Sequence, residues 1–263
     1  MLLTGYAMKS KRKGKNPDPL SYRQRNYRGI IAPEAMTRCH VSIRETDLLI
    51  FANSDVTTQA THLVMQYRSH LETYISRHAD FLTSLVPLDK DPLAPPIVKE
   101  MLNAACFTGV GPMAAVAGAI AEFVGRDLLK TVTNEIIIEN GGDIFMYRQQ
   151  DSIAAIFAGT SPLSNKIGIK IPQSFMPLGI CTSSGTIGHS LSFGQADSVT
   201  VLAPSASVAD AAATRLGNEL ITKTDMNQVL AVARNLSGLL GVVFVKDDHL
   251  GVWGDIELTP LHG

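Results

Sequence analysis

Residues 179–218, GICTSSGTIGHSLSFGQADSVTVLAPSASVADAAATRLGN, combine a loop, a strand and a helix that together decide the fold of this chain. The loop, Thr182–Ser190, is built from small residues, and its glycines allow backbone N–H groups to approach an anionic ligand closely. The run Ser198–Leu202 is rich in β-branched residues and stops at Ala203-Pro204, which predicts a buried strand. The stretch therefore predicts an anion-binding loop just ahead of a core strand.

A helix is predicted directly after this strand. Ser205 or Ser207 can cap its N-terminus, and Asp210 and Thr214 then lie four residues apart on one helix face. A carboxylate and a hydroxyl placed in this way supply the oxygen ligands that a hard divalent cation takes. Two structural alternatives stay open at this point: the carboxylate could complement the helix dipole, and the hydroxyl could be a half-buried polar group.

The composition limits the class of protein. A chain of 263 residues with 45% hydrophobic residues can form one large domain or two closely packed lobes. Its net charge of −1 gives no overall field that steers it to nucleic acid or to a membrane, and no apolar run is long enough to span a bilayer. The N-terminus has the wrong order of apolar and charged residues for a signal peptide, so we expect a cytoplasmic protein. Cys39, Cys106 and Cys181 are widely spaced and predict neither a disulfide framework nor a zinc site.

The N-terminal residues form a separate basic segment. Residues 9–28 carry many lysines and arginines and a single acid, Asp18, and we expect residues 1–21 to be a flexible basic tail. A basic tail can bind nucleic acid, but no recognition helix or aromatic-rich surface follows it, which favours a solvated tail. Residues 22–263 are predicted to form a single domain, in which Tyr22–Arg28 either begins an edge strand or supplies arginines to a phosphate.

Periodicity predicts the remaining helices and strands. From Asp55, apolar residues recur at three- and four-residue steps, which predicts a long amphipathic helix whose three histidines lie at its surface. The other predicted helices are Ile97–Cys106, Pro112–Gly125 and Met226–Leu236. The predicted strands are Cys39–Ile43, Asp47–Ala52, Glu135–Glu139, Ile144–Arg148, Ile153–Ala158, Lys166–Ile171, Ser198–Leu202, Gly241–Lys246 and Leu250–Leu258. This set predicts an α+β fold with a mainly antiparallel sheet flanked by helices.

Two glycine-containing turns lie between these elements. Gly109 and Gly111 permit close backbone approach ahead of a predicted helix, where an anion site and a tightly packed core helix are both compatible with the pattern. The turn is neither a P-loop nor a G-x-G-x-x-G fingerprint. Asn140–Asp143 predicts a β-hairpin turn, although Asp143 beside two glycines could also orient a ribose hydroxyl or a metal-bound water.

Several motifs together resemble one protein family. The motifs are YRQRNYR, RETDLLI, FTGVGPMAAVAGAIAE, ENGGDIF, CTSSGTIGHSLSFG, ADSVTV and ADAAAT. As a set they resemble an uncharacterised, short-form branch of the ApbE-like superfamily, whose better-known members are FAD:protein FMN transferases. The resemblance covers nearly all of residues 22–258 and implies a T-fold-related α+β architecture. It also implies a pocket for a phosphorylated cofactor such as FAD or FMN, magnesium or calcium as the metal, and phosphoryl or flavin transfer as the reaction.

The transferase motifs match this chain in part. Gly141-Gly142-Asp143 is similar to their Gly-Gly-Asp turn, and the segment Asp210–Thr214 matches the D-A-x-x-T motif that binds magnesium in the family. Their third metal contact is a backbone carbonyl, which falls near Val116–Gly118 here. In contrast, this chain lacks the lysine of their Lys-Gly pair and the Asp-Pro that follows their histidine, and the portion that holds the adenine end of FAD is abbreviated. These departures leave a non-catalytic cofactor-binding or carrier protein as the alternative function.

The residues and the resemblance together give a predicted site. The predicted catalytic residues are His189, as acid or base, and Asp143, which would orient the ligand or a metal-bound water. The predicted metal ligands are Asp210 and Thr214. The predicted cofactor-binding residues are Gly109, Gly111, Gly141, Gly142, Thr182, Ser183, Ser184, Gly185 and Thr186.

Other roles for these residues stay open. His189 could instead be satisfied by its serine-rich neighbours, and Cys181 or Ser184 could act as a nucleophile with His189 as base. A cysteine flanked by an apolar residue at a strand end is more often a small buried side chain. The expected partner is a small phosphorylated ligand, without membrane or nucleic acid, and the small-residue helices and hairpin edges are compatible with a homodimer.

Overall fold

The computed structural model describes residues 36–185 and 194–261. The predicted basic tail, the segment Tyr22–Arg28 and two predicted site residues, Thr186 and His189, lie outside these residues. The expectation that residues 22–263 form a single domain therefore stays a prediction.

Strands in the described part of the chain form two antiparallel sheets. Their bounds are β1 Thr37–Ile43, β2 Thr46–Ala52, β3 Ile136–Asn140, β4 Asp143–Tyr147, β5 Ser152–Ala155, β6 Ile167–Ile171, β7 Leu178–Ser183, β8 Ser198–Ala203, β9 Gly241–Lys246, β10 His249–Gly254 and β11 Glu257–Pro260. The larger sheet has the order β1-β2-β3-β4-β7-β8-β9-β10, and the smaller sheet has the order β11-β6-β5. Neighbouring strands in both sheets are antiparallel, which confirms the predicted α+β class.

The helices complete the fold and include those predicted by periodicity. Their bounds are α1 Thr57–Arg77, α2 Asp80–Thr83, α3 Pro96–Thr108, α4 Val116–Thr131, α5 Ala206–Glu219 and α6 Met226–Asn235, with short 3₁₀ turns at Pro112–Ala115, Gln173–Phe175 and Lys223–Asp225. Across residues 36–185 and 194–261, no single helix has the length and apolar character needed to cross a membrane. One pair of helices, Pro96–Thr108 and Pro112–Thr131, meets both criteria when taken together, by length and composition only, and the two helices are bent by 107° relative to each other.

The larger sheet is covered by helices on one face and by the smaller sheet on the other. Side chains alternate between the two faces along the central strands. Cys181 and Val201 pack with the helices, whereas Ile180 and Leu202 pack toward the smaller sheet. All residues of β8 are buried, as expected for a strand that is covered on both faces. Helix-facing residues at the strand ends therefore meet α4 and α5, which is where the candidate site lies.

Two sequence predictions need correction. Thr182 and Ser183, predicted to open a loop, are the last residues of β7, because they continue its pairing with β8. The predicted strand Leu250–Leu258 divides into β10 and β11, which belong to different sheets. The chain changes direction at Gly254, whose φ of 98° is a left-handed conformation that favours glycine.

Candidate functional site: a buried pair of aspartates

Asp143 lies at the first position of β4, directly after a two-residue turn. Gly141 and Gly142 adopt φ values of 71° and 105°, which glycine adopts without steric cost. The turn brings Asn140 opposite Asp143, which confirms the predicted hairpin. The backbone N–H of Thr182 on β7 donates to Asp143 Oδ1 over 3.3 Å. The carboxylate is therefore tied to the neighbouring strand.

Asp210 lies in the second turn of α5 and is held by α4. Ser205 is the N-cap of α5, and its Oγ accepts a hydrogen bond from the N–H of Val208. The backbone N–H of Gly118 on α4 donates to Asp210 Oδ2 over 2.9 Å. The helices approach so closely that a Cβ on Gly118 would lie 2.2 Å from the carbonyl oxygen of Ala206, so this position requires glycine. The helix dipole acts mainly within the first turn of a helix. Asp210 lies beyond the first turn of α5, so the dipole alternative does not account for this residue.

Burial disfavours the charged form of both carboxyl groups. Burial raises the pKa of Asp210 to about 7. Burial also raises the pKa of Asp143 well above its usual value, and the charge of Asp210 raises it further. The N–H groups of Gly118 and Thr182 act in the opposite direction, because they donate to the carboxylates.

Cys181 is a buried thiol beside Asp143. Burial raises its pKa well above the usual value, and the charges of Asp143 and Asp210 raise it further. The thiol is therefore protonated, and its single proton is shared between two acceptors: the carbonyl oxygen of Ala206, at 3.3 Å, and the carboxyl of Asp143. Because the thiolate is the reactive form, these surroundings do not support the alternative of Cys181 as a catalytic nucleophile.

The other predicted residues of α5 and β7 lie near this pair. Thr214 follows Asp210 by one helical turn and is half-buried. Ser183, at the end of β7, lies against Gly217 one further turn along α5, where an added Cβ would be 3.1 Å from Ser183 Oγ. The predicted metal ligands and part of the predicted phosphate loop therefore meet on one face of α5.

Two of the backbone N–H groups predicted to contact the cofactor are engaged within the protein. The N–H of Gly142 donates to Glu139 Oε1 over 2.7 Å. The N–H of Gly185 donates to the carbonyl oxygen of Ala196 over 2.9 Å. These two N–H groups are therefore not free to hold a phosphate.

Gly109 and Gly111 serve the packing of the chain. Gly109 ends α3 with a φ of 78°, and an added Cβ would lie 2.6 Å from Arg215 Nη1. Gly111 is so close to the backbone of Ser84 that an added Cβ would lie 1.8 Å from its carbonyl oxygen. The close approach predicted for these glycines is thus made to other parts of the protein, and their assignment to a cofactor stays a prediction.

The residues that flank segment 186–193 lie together beside α5. A Cβ on Gly185 would lie 2.2 Å from the carbonyl oxygen of Gly194, and a Cβ on Gly194 would lie 1.7 Å from that of Gly217. The described chain therefore ends and resumes next to the same turn of α5. Thr186 and His189 belong to this segment, so their predicted roles stay predictions.

The donor set of the site suits a hard cation. Within the described ranges, no group of three or more His, Cys, Asp and Glu side chains could hold a metal ion. The candidate donors are instead the carboxylates of Asp210 and Asp143 and the hydroxyl of Thr214. Magnesium takes oxygen ligands of this kind and commonly keeps several waters, so it fits a site with few protein donors. The Ala117 carbonyl, in the region of the predicted third contact, accepts a hydrogen bond from Asn140 Nδ2 over 3.1 Å.

Three residues that shape the site were not assigned these roles from the sequence. Gly118 donates a hydrogen bond to Asp210, and Cys181 donates one to Asp143. Glu122 accepts a hydrogen bond from the first residue of α5. The run of small residues around Gly118 was the available signal for the close helix contact. No local pattern marks the partners of Cys181 or Glu122, because these lie far away along the chain.

Comparison with known sequences places this chain in the ApbE-like class. The chain belongs to the family described as "AbpE bacteria", whose model matches residues 29–240. A UPF0280 protein from Methanococcus vannielii is 42% identical over 221 residues, which are 82% of this chain and 90% of that protein. These similarities confirm the resemblance that the motifs indicated.

Two solved structures are similar to this chain in fold. The flavin transferase ApbE from Vibrio cholerae gives a TM-score of 0.57 at 15% identity, over 83% of this chain and 97% of that one. The apo form of the flavinyl transferase ApbE from Pseudomonas stutzeri gives a TM-score of 0.56 at 12% identity, over 86% of this chain and 94% of that one. At such low identity the likeness concerns the fold alone.

Proposed function

We propose that this protein binds a flavin nucleotide together with a divalent cation at the Asp143–Asp210 pair. The observation that carries the proposal is that two neighbouring carboxyls are buried, with Asp210 held by Gly118 N–H and Asp143 by Thr182 N–H. Both carboxyls can ionise together when a divalent cation offsets their repulsion. Asp210 and Thr214 would hold the cation, and Asp143 would bind it directly or orient one of its waters.

The flavin part of the proposal rests on the likeness in fold and motifs. The similar solved structures are named as flavin transferases. A flavin dinucleotide contains a pyrophosphate, which is the kind of anion that a cation held by carboxylates attracts. Ser183 lies at the end of β7 beside α5, and its hydroxyl is the proposed hydrogen-bond donor to such an anion.

The reaction that this site would support is phosphoryl transfer from the pyrophosphate to a hydroxyl group. A P–O bond forms to the acceptor oxygen, the bridging P–O bond breaks, and the nucleoside monophosphate leaves with the bonding electrons. His189 is the proposed base for the acceptor proton. The cation would supply charge neutralisation at the phosphate oxygens. Gly118 holds Asp210, and Cys181 and Thr182 hold Asp143, so the chain itself keeps both carboxylates in position.

The proposal is tested by titrating the purified protein with FAD in the presence of magnesium and of a chelator. We expect magnesium to strengthen FAD binding to the wild type and to have little effect on Asp210→Asn. Absence of FAD binding, or binding that is indifferent to magnesium, would contradict the proposal. Release of AMP with a hydroxyl acceptor then separates transfer from the alternative of a carrier, which would hold FAD intact.

A further inference from the structure

The side chain of Glu122 on α4 accepts hydrogen bonds from the N-terminus of α5. Its Oε2 accepts hydrogen bonds from Ser205 Oγ (2.9 Å), Ala206 N (2.7 Å) and Ser207 N (3.3 Å). The side chain is buried, and these donors belong to the part of a helix that has no partners of its own. The N-terminus of α5 is thus occupied by a carboxylate of the protein itself and is not open to a phosphate.

The same carboxylate connects α5 to the strand that begins with Asp143. Glu122 Oε1 accepts from Arg126 Nε (2.8 Å) and lies 2.7 Å from Arg126 Nη2. The guanidinium of Arg126 rests over the ring of Phe145 on β4, 5.5 Å from its centroid. Phe145 follows Asp143 by two residues, so this chain of contacts runs from the first turn of α5, through α4, to β4.

Gly118 and Glu122 lie one turn apart on α4 and hold α5 at two points. Gly118 contacts Asp210, and Glu122 contacts the helix start four residues earlier. We infer that Glu122 is a positioning residue that fixes α5 against α4 and β4 and thereby sets the relative positions of Asp143 and Asp210. The consequence for metal binding rests on the proposed function, whereas the consequence for the helix does not.

Glutamine at position 122 keeps the size of the side chain but cannot replace its contacts. The carboxylate accepts from donors on both sides, whereas an amide presents its own N–H groups to one of them. Glu100 reaches only the hydroxyl of Ser205, over 3.2 Å, so it does not substitute for Glu122 at the backbone donors. We therefore expect Glu122→Gln to loosen the start of α5.

The first measurement is the Kd of the full-length protein for Mn²⁺, used alone as an observable substitute for magnesium. Residues that orient metal ligands typically change metal affinity about 10- to 100-fold when substituted, and we expect an increase in Kd of this size for Glu122→Gln. Glu219→Gln is the matched control, because it removes a charge paired with Arg215 at the other end of α5. The control should change the Kd less than about twofold. An unchanged Kd for Glu122→Gln would overturn the inference.

The second measurement follows the reaction of cysteines with iodoacetamide in the native protein without metal. Cys181 lies under the first residue of α5, whereas Cys39 is buried on β1 and serves as an internal control. Local loosening of α5 should raise the labelling rate of Cys181 about tenfold or more and leave that of Cys39 unchanged. Equal acceleration of both cysteines would indicate general destabilisation and would overturn the inference.

The two measurements separate the inference from the proposed function. If the wild type does not bind Mn²⁺, the proposed function fails, and selective labelling of Cys181 in Glu122→Gln still decides whether Glu122 positions α5. If Glu122→Gln does not fold, Arg126→Gln leaves the contacts of Glu122 to α5 in place and removes its ion pair with Arg126 and thereby its connection to Phe145. We then expect a smaller change of the same sign in both measurements, and no change in either would contradict the inference.

Discussion

Asp210→Asn should stabilise the protein when no metal is present. The pKa of Asp210 rises from 3.8 to about 7 because the carboxyl is buried, so the folded protein binds a proton more tightly than the unfolded chain does. Between these two values the folded state binds more protons, and the free energy of unfolding therefore falls as pH increases. Above about pH 7 the loss is complete, and below about pH 4 it is absent.

The size of this loss follows from the difference in pKa. About three pH units, at about 1.4 kcal/mol for each, amount to about 4 kcal/mol of unfolding free energy above pH 7. Asparagine has a similar size, carries no charge, and keeps an oxygen that can accept from Gly118 N–H. Its removal of the Asp210 charge also lowers the pKa of Asp143, which reduces a second loss of the same sign. In chelator, the variant should be more stable than the wild type by up to about 4 kcal/mol at about pH 8, with little difference near pH 4.

A divalent cation should narrow this difference. A cation at about one hundred times its Kd adds about 2.7 kcal/mol to the wild type, and the variant should gain much less because it lacks the charged ligand. Urea unfolding followed by the fluorescence of Trp253, the single tryptophan, gives each free energy. Glu219→Gln is the control for loss of a partly exposed ion pair, which should be worth about 0–1 kcal/mol. A variant less stable than the wild type in chelator at both high and low pH would refute the reasoning.

Three further predictions test single contacts of the site. Thr214→Val should raise the Kd for Mn²⁺. Because the side chain is half-buried, the free energy of unfolding without metal should change by less than about 1 kcal/mol. Titration with Mn²⁺ and urea unfolding measure the two quantities, and an unchanged Kd would exclude the hydroxyl as a ligand. Gly118→Ala should destabilise the protein by about 1–3 kcal/mol in the same unfolding assay, since the new Cβ collides with Ala206, and a neutral effect would contradict the close helix contact. In the native wild type, iodoacetamide should modify the exposed Cys106 and spare Cys181, as peptide mass spectrometry can show; rapid modification of the second thiol would contradict its burial.

Local patterns in the sequence predict the elements well where one feature dominates. The apolar steps after Asp55 correspond to α1, and the turn Asn140–Asp143 joins β3 to β4 as its glycines indicate. Ser205 caps α5, so the register that places Asp210 and Thr214 one turn apart is also correct. These features depend on residues within a few positions of each other, so they can be predicted from the sequence alone.

Contacts between distant parts of the chain were not legible in the same way. β4 pairs with β7, which brings Cys181 next to Asp143, although β5 and β6, two strands of the smaller sheet, lie between them along the chain. Gly118 and Asp210 are separated by 92 positions, and no local pattern around either residue predicts their contact. The motif resemblance supplied the role expected of Asp210, whereas the role of Glu122 follows only from the geometry of the two helices.

The burial of the aspartate pair links the stability of the protein to its proposed ligand. Because Gly118 has no side chain, α5 lies close enough to α4 to exclude water from the side of Asp210 that faces α4. A larger residue would separate the helices, admit water and bring the pKa of Asp210 back toward its usual value, so the metal-free protein would lose less stability at high pH. The same change would weaken the field that the ionised pair presents to a cation, since charges act more strongly where water is excluded. The instability of the metal-free site and its attraction for a cation therefore have one physical origin, and a substitution that relieves the first should also reduce the second.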